Sequence, residues 1–337
     1  MRYLSAMAYS FLALFICLAA PSGAFAWGEY GHMTVCDLAY RNLTDPSKEA
    51  LIKLFHGKQG ITVLSKNGVD TRHYTSFNVG CLEEDARPRR HPDDHFINVD
   101  RKTKNLTSEA CPVAGTCIFV GIKRDLAILR DTSKSDEDRV AALMAVGHWI
   151  GDIHQPLHIS FEDDTGGNDI KVKMKTTCGT STYKPSYLHA LWDNCLLEAS
   201  IFEKVRKKDT YKPGWGYRTI TYRAVDTLQA NTTLTEEKSM VGTDPVLWAD
   251  ESFQITLQPN AQYCVQVGDS CQYTKDEPVL VKDGKQKKVE IAKAYLDEYG
   301  PIAEQRVRLA GFRLAHLINL ALDPDYKEPV QNSTQLP

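Results

Sequence analysis

The run Gly147-His148-Trp149-Ile150-Gly151-Asp152-Ile153-His154-Gln155-Pro156-Leu157-His158 sets a histidine and an aspartate four residues apart in helical spacing. On a helix the two side chains leave one face and can share a cation. Pro156 cannot continue that helix, so it ends the element and throws His158 out as a separate ligand. A second His-x-x-x-Asp pair, His189 and Asp193, recurs farther along, and His32, Asp85 and His95 precede both. Imidazole nitrogens with carboxylate oxygens are the donor set of hydrolytic zinc sites, which keep a position open for water or substrate. One such pair is a common accident of sequence; two pairs with a displaced histidine point to a multinuclear metal site. No cysteine lies at thiolate-site spacing beside them, which argues against a structural cysteine-ligated zinc. His56, His73 and His316 have no partner at ligand spacing. His91 and His154 each stand four before a candidate ligand, but Pro92 and Pro156 spoil the helical geometry, so all five are read as packed or exposed.

Elements must hold these residues in place. Apolar residues recur at spacings of three and four, so the fold is expected to be mainly α: a single helical domain with long loops and a short β-hairpin. Residues 31–56 read as helix broken at Thr44-Asp45-Pro46, and 60–110, rich in turn formers and charge, as long loops with little regular structure. Ser135-Asp136-Glu137-Asp138 is a capping start for a helix running to about His154. Asp163 to Lys175, with Gly166-Gly167-Asn168 and the alternating Ile170, Val172 and Met174, is expected to form a hairpin or an extended excursion. Helical patterns follow at about 187–207, 216–240 and 290–322, and Trp248-Ala249-Asp250-Glu251 reads as a structural helix start.

Residues 1–26 have the layout of a signal peptide. Arg2 gives a basic start, Phe11–Ala20 is apolar but too short to span a bilayer, and Ala24-Phe25-Ala26 is a small-x-small cleavage site. Cleavage there makes Trp27 the mature N-terminus of an exported protein, secreted or periplasmic, with 27–323 as its working domain and a polar, disordered tail at 324–337. A net charge of -3 and pI ≈ 6.4 give no basic footprint for gripping duplex nucleic acid, although bound divalent cations would change that locally. Of nine cysteines, Cys17 leaves with the signal peptide, and the even remainder in an exported chain reads as disulfides. Cys111 with Cys117 and Cys264 with Cys271 are the expected local pairs; Cys36, Cys81, Cys178 and Cys195 allow three pairings.

These residues carry a likeness to a known family. The chain resembles the zinc-dependent single-strand nucleases and 3′-nucleotidases of the S-one and P-one type, which share their fold with bacterial zinc phospholipases C. The matching stretches are Trp27-Gly28-x-x-Gly31-His32, His95-Phe96-Ile97-Asn98, His148-x-x-Gly151-Asp152-x-x-Gln155-Pro156-Leu157-His158, Gly166-Gly167-Asn168, Leu188-His189-x-x-Trp192-Asp193, Trp248-Ala249 and Gly311-Phe312-Arg313-Leu314-Ala315. They fall in family order over nearly the whole mature chain. The resemblance implies three Zn2+ ions per chain. One would take Asp85, His95, His148 and Asp152; a second His158, His189 and Asp193; a third the amine and carbonyl of Trp27, His32, and Asp152 as a bridge. An α-amine ligates only when deprotonated, and here only after processing has exposed it. The family usually sets the early aspartate after Trp-Ala or Trp-Pro, whereas Leu82-Glu83-Glu84 precede Asp85, so Glu84 is the alternative ligand.

The activity so implied is cleavage of single-stranded DNA or RNA and of 3′-mononucleotides. A zinc-activated hydroxide, with Asp85 and Asp152 holding the reacting centre, would attack phosphorus in line and break P–O3′, leaving 5′-phosphates. Arg87 and Arg89 are candidate phosphate contacts, a planar guanidinium suiting that group, and Asn194 is a second. Phe96 is the ring on which an unstacked base would lie. Asn98, where relatives often carry Asp, would meet the base edge, and Gly166, Gly167 and Asn168 would shape the pocket wall. No stable protein partner is implied, and a monomer is expected. Two other readings compete: a zinc phospholipase C, which tends to use Glu where this chain has Asp193, and a non-catalytic zinc-binding protein.

Overall fold

The computed structural model describes residues 27–56, 63–65, 68–70, 77–86, 88–112, 115–214, 216–230, 232, 242–258, 261, 265–267, 270–272 and 289–327. Residues 1–26, where a signal peptide is expected, and Arg87, His73, Cys264 and most of the tail therefore lie outside the described residues. The architecture is mainly helical. The chain opens with α1 (Glu29–Arg41) and α2 (Asp45–His56), and the Thr44 hydroxyl accepts from Ser47 N at 3.3 Å to start the second helix where the sequence places a break. Within the region read as loops, β1 (Val63–Ser65) and β2 (Gly68–Asp70) pair antiparallel, followed by α3 (Phe77–Gly80), a 3-10 turn at Glu83–Asp85 and β3 (Ile97–Val99).

The centre is α4 (Ile118–Arg130) lying along α5 (Asp136–Ile153), which begins one residue after the Ser135 cap. A 3-10 turn at Pro156–His158 leads into β4 (Ile159–Phe161), and β5 (Val172–Met174) follows. The helical stretch after Tyr187 is interrupted. It runs as α6 (Leu188–Ala190), a π turn at Leu191–Cys195, α7 (Leu196–Ala199) and α8 (Ile201–Arg206), with a break at Ser200 (φ −114°, ψ −94°). Next come α9 (Tyr217–Ala230), α10 (Pro245–Thr256), the short pair β6 (Val265–Val267) and β7 (Ser270–Gln272), β8 (Val289–Ile291), and the long α11 (Lys293–Leu322). Helices α1, α5 and α11 pack mutually, and α9 lies on α1. Trp27, Trp149, Trp192 and Trp248 are all fully or almost fully buried in the core between them. No helix among the described residues is long and apolar enough to cross a membrane.

Of the two forms expected at Asp163–Lys175, a hairpin or an extended excursion, the chain takes the excursion and no hairpin closes. Instead β4 pairs parallel with β3, and β5 pairs parallel with β8, far away in sequence. The reason is the turn between them. Thr165, Gly166 and Gly167 are all left-handed (φ 56°, 62° and 78°), and Gly167 N donates to Asp164 Oδ1 at 2.9 Å. The chain thus curls on itself and leaves, rather than folding back for a partner strand. Alternation at Val172 and Met174 marks a strand correctly but carries no record of a distant partner. Cys111 pairs with Cys117 as expected, and the open set resolves into Cys36–Cys81 and Cys178–Cys195.

Candidate metal centre

The Ser135 hydroxyl accepts from Asp138 N at 3.1 Å, and three acids fill the first turn of α5, where the helix dipole favours negative charge. From Val140 onward the helix is almost wholly buried and carries His148 and Asp152 into the interior. A carbonyl oxygen can only accept. The 2.8 Å contact of His148 Nδ1 with Cys81 O therefore puts the proton on Nδ1 and leaves the Nε2 lone pair facing inward. That Nε2 lies 3.3 Å from Asp152 Oδ2, 3.9 Å from Asp85 Oδ1 and 3.1 Å from His95 Nδ1. Asp152 Oδ1 reaches His32 Nε2 at 3.1 Å while its Oδ2 reaches His95 Nδ1 at 3.0 Å, so one carboxylate joins two groups of ligands. Gly151 permits this: a Cβ there would sit 2.6 Å from His32 Nδ1.

A second group forms beyond Pro156. His158 Nδ1 donates to His95 O at 2.6 Å, a contact set by the β3–β4 pairing, and His189 Nδ1 donates to Gly166 O at 2.6 Å. Both Nε2 lone pairs then face each other at 3.2 Å, with Asp193 Oδ2 3.6 Å from His189 Nε2. Gln155 donates to Asp193 Oδ1 at 2.6 Å and fixes that carboxylate. Asp193 sits in the π turn, a helix irregularity of a kind found disproportionately at functional sites.

Three sets of donor atoms therefore lie within 4.8 Å of one another in each set: His32, Asp85 and His148; His95, His148 and Asp152; His158, His189 and Asp193. All are buried. His32 Nδ1, His95 Nε2 and Asp193 Oδ2 have no hydrogen-bond partner, and the 3.1 Å approach of His32 Nε2 to Asp152 Oδ1 lacks the alignment of a hydrogen bond. Buried polar atoms are ordinarily satisfied, and lone pairs held face to face repel unless a proton or cation lies between them. The electrostatics agree. Burial, then the neighbouring His148, lowers His32 to about 4, and burial with His158 lowers His189 to about 3. Both rings are thus neutral at pH 7, the form that binds a metal. Burial also opposes a charge on His148, yet the Asp152 and Asp85 carboxylates outweigh it and raise that ring to about 9, so a proton holds the inward Nε2 position until a cation displaces it. Burial pushes Asp193 well above the carboxylate range, against its bond from Gln155, with the Asp85 and Asp152 charges adding to the rise. Carboxyl groups whose protons a cation can displace, set among imidazole nitrogens, suit divalent cations, and this donor set suits zinc.

A family model described as S1/P1 Nuclease matches residues 27–323. The chain belongs to the S1/P1 nuclease family. Endonuclease 4 of Arabidopsis thaliana is 26% identical over 322 residues, covering 88% of this chain and 90% of that protein. Endonuclease 2 of the same organism is 25% identical, with 91% and 94% covered. Nuclease S1 of Aspergillus oryzae is 27% identical, with 90% and 94% covered. Membership in the S1/P1 nuclease family supports an enzyme with nuclease activity, and so a nucleic-acid substrate.

The remaining candidate residues of this S1/P1 nuclease separate clearly. Asp85 faces His95 and His148, whereas Glu84 is turned to Arg90 and to His91 Nδ1 at 3.3 Å; although burial opposes its charge, those partners hold its carboxyl at about 2. Arg89 Nη2 pairs with Asp85 Oδ1 at 2.5 Å. Trp27 is fully buried, Gly28 N donates to Asp193 O at 2.8 Å, and a Cβ on Gly31 would strike Trp27 Cβ. Trp27 and Gly28 are thereby packed beside the second group. Phe96 and Asn98 line a cavity of about 220 Å³ with Asp93, Pro112, Thr116 and Cys117, and Asn98 Oδ1 is buried without a hydrogen-bond partner. Asn168 instead donates its Nδ2 to Thr165 O at 2.9 Å and closes the turn. Asn194 borders a different cavity, beside Asp193. Gln155 was legible as part of a motif but had no role that spacing alone could assign.

Proposed function

We propose that this protein is an exported zinc-dependent phosphodiesterase that cleaves P–O3′ bonds of single-stranded DNA and RNA and removes 3′-phosphates from mononucleotides, leaving 5′-phosphates on polymer products. Three Zn2+ ions would be held by Asp85, His95, His148 and Asp152; by His158, His189 and Asp193; and by His32, Asp152 and the amine and carbonyl of Trp27, freed by cleavage after Ala26. Zinc in such a site neutralises phosphate oxygens and makes water acidic enough to ionise near pH 7.

The chain's own residues set the geometry. The three Nδ1–H bonds to carbonyls hold the His148, His158 and His189 rings still, and Gln155 holds Asp193. Arg89, paired with Asp85, keeps a guanidinium at the edge of the carboxylate cluster where a phosphate would arrive. Phe96 offers a ring to a base and Asn98 an amide that both donates and accepts. A base must leave its stack to reach such a cavity, which favours single strands.

The observation that carries this reading is the face-to-face arrangement of imidazole nitrogens beside unpartnered carboxylate oxygens. The test is to assay purified mature protein, with and without chelator, on single-stranded DNA, RNA, 3′-AMP and phosphatidylcholine, and to count metal by elemental analysis. Three zincs, chelator-sensitive cleavage of the nucleic acids and 3′-AMP, and no lipid hydrolysis are expected. Lipid hydrolysis alone would make it a phospholipase C, and zinc without any turnover a binding protein. A tag left ahead of Trp27 should lower the zinc count from three toward two; an unchanged count removes Trp27 from the ligand set.

A further inference from the structure

Each imidazole of the centre needs something to aim it. Carbonyl oxygens do this for His148, His158 and His189, and His32 lies stacked on His148, 4.0 Å between centroids and 11° from parallel. His95 has no such carbonyl among the described residues. Its Nδ1 faces Asp152 Oδ2 and His148 Nε2, and its Nε2 has no partner. What meets this ring instead is Trp149. The indole stands perpendicular to His95, with centroids 4.8 Å apart and planes at 87°, and perpendicular to His148 at 5.3 Å and 89°. Such T-shaped pairs are a favoured aromatic geometry, and in a packed interior tilting one ring drives it into the other.

Trp149 is itself tethered. It is fully buried and donates from Nε1 to Asp125 Oδ2 at 2.7 Å. Asp125 is bound in turn by Arg124, through Nη2 at 2.7 Å and Nε at 3.1 Å. The same guanidinium gives Nη1 to Asp94 Oδ2 at 2.5 Å, and Asp94 also accepts from the Thr116 hydroxyl. Asp94 is the residue just before His95. The contacts therefore close a circuit: His95, Asp94, Arg124, Asp125, Trp149 and back to His95. One planar fork spans two buried carboxylates, which the point charge of a lysine cannot do in that geometry. Helix α4 comes close enough because Gly121 carries no side chain: a Cβ there would meet Asp94 Cβ at 3.0 Å and Trp149 Nε1 at 3.2 Å. Position 149 is left open in the family pattern His148-x-x-Gly151-Asp152, so the likeness assigns Trp149 no role.

We propose that Arg124 and Trp149 are positioning residues for His95: Arg124 locks both the residue beside that imidazole and the indole that aims it, and the pair sets the affinity for the ion held by Asp85, His95, His148 and Asp152. The inference rests on the metal reading above. The carbonyl of His95, which serves His158, is held separately by the β3–β4 pairing, so the group of His158, His189 and Asp193 is spared.

The test is stepwise zinc binding to chelated mature protein, by competition with a chromogenic chelator. Wild type, Arg124→Gln, Trp149→Leu and the double variant are compared, with the melting temperature of each chelated protein recorded. One zinc equivalent should weaken about 10- to 100-fold in each single variant, and the others by less than about threefold. The double variant should lose no more than the worse single variant, because both residues act through one imidazole. A role confined to packing would lower the melting temperature and leave every zinc affinity at its wild-type value, which overturns the inference. Equal losses at all equivalents, or losses that multiply in the double variant, overturn it too. Should Trp149→Leu not fold, Arg124→Gln decides alone, its side chain being partly exposed: selective weakening supports the inference and unchanged affinities overturn it. Wild type that binds no zinc removes the metal reading and the inference with it.

Discussion

His154 and His158 stand on either side of Pro156, both buried, and meet opposite chemistry. His154 donates from Nδ1 to Ile150 O at 2.7 Å and accepts at Nε2 from Arg313 at 2.8 Å. Arg313 and Arg306 both bond Glu251, and Arg306 also reaches His154 O, Trp248 O and Ser252 Oγ. His158 has one nitrogen satisfied and the other aimed at His189 Nε2, which offers no proton. The first region is a strut tying α11 to the bend after α5, with its bonding largely closed within the protein. The second leaves buried atoms open for something that arrives later. Burial does not distinguish a working histidine from a structural one; unsatisfied lone pairs do.

Four experiments press on that contrast. Asp152→Ala, which removes a donor shared between ligand groups, should lower kcat/KM by roughly four orders of magnitude, and His32→Ala by distinctly less; equal losses in steady-state assays would mean the carboxylate is not shared. Arg306→Met leaves Glu251 and two carbonyls short of a donor and should cost about 3–5 kcal/mol in denaturant unfolding of chelated protein. Zinc per folded molecule should stay at the wild-type count, and a fall would show that strut and centre are one unit. Gln155→Ala frees Asp193 and should weaken zinc binding about 10- to 100-fold by competition with a chromogenic chelator, with little change in chelated-state stability.

The smallest effect is a pH dependence. Burial opposes ionisation of Glu251, but Arg313 and Arg306 outweigh it and hold the carboxyl below its ordinary value of 4.5. A depressed carboxylate contributes stability that is complete above the unfolded value and is lost as pH falls through the folded one. Chelated wild type should therefore lose stability on acidification below about pH 4.5, and Glu251→Gln should flatten that slope in melting curves taken from pH 6 to pH 3.

Much of the centre was legible in the sequence because the i, i+4 pairs His148/Asp152 and His189/Asp193 and the helix-breaking Pro156 are local signals. The helix cap at Ser135 was legible for the same reason. Other features were set at long range and left no trace. The parallel pairing of β3 with β4 decides where His95 meets His158, and its strands lie far apart in the chain. Spacing could not choose between Asp85 and Glu84; Arg90 and His91 draw Glu84 away. Nor could it show that Asn168 spends its amide on Thr165 O, or which cysteines among Cys36, Cys81, Cys178 and Cys195 would meet.

The Cys36–Cys81 bond joins α1, bearer of His32, to the residue whose carbonyl orients His148. It closes a loop of 45 residues, a constraint worth about 4 kcal/mol on chain-entropy grounds. In a reducing compartment that bond would stay open, and His32 and the carbonyl that orients His148 would lose their covalent tie. Closed, it fixes an imidazole and the carbonyl that aims its neighbour in one frame before any ligand binds.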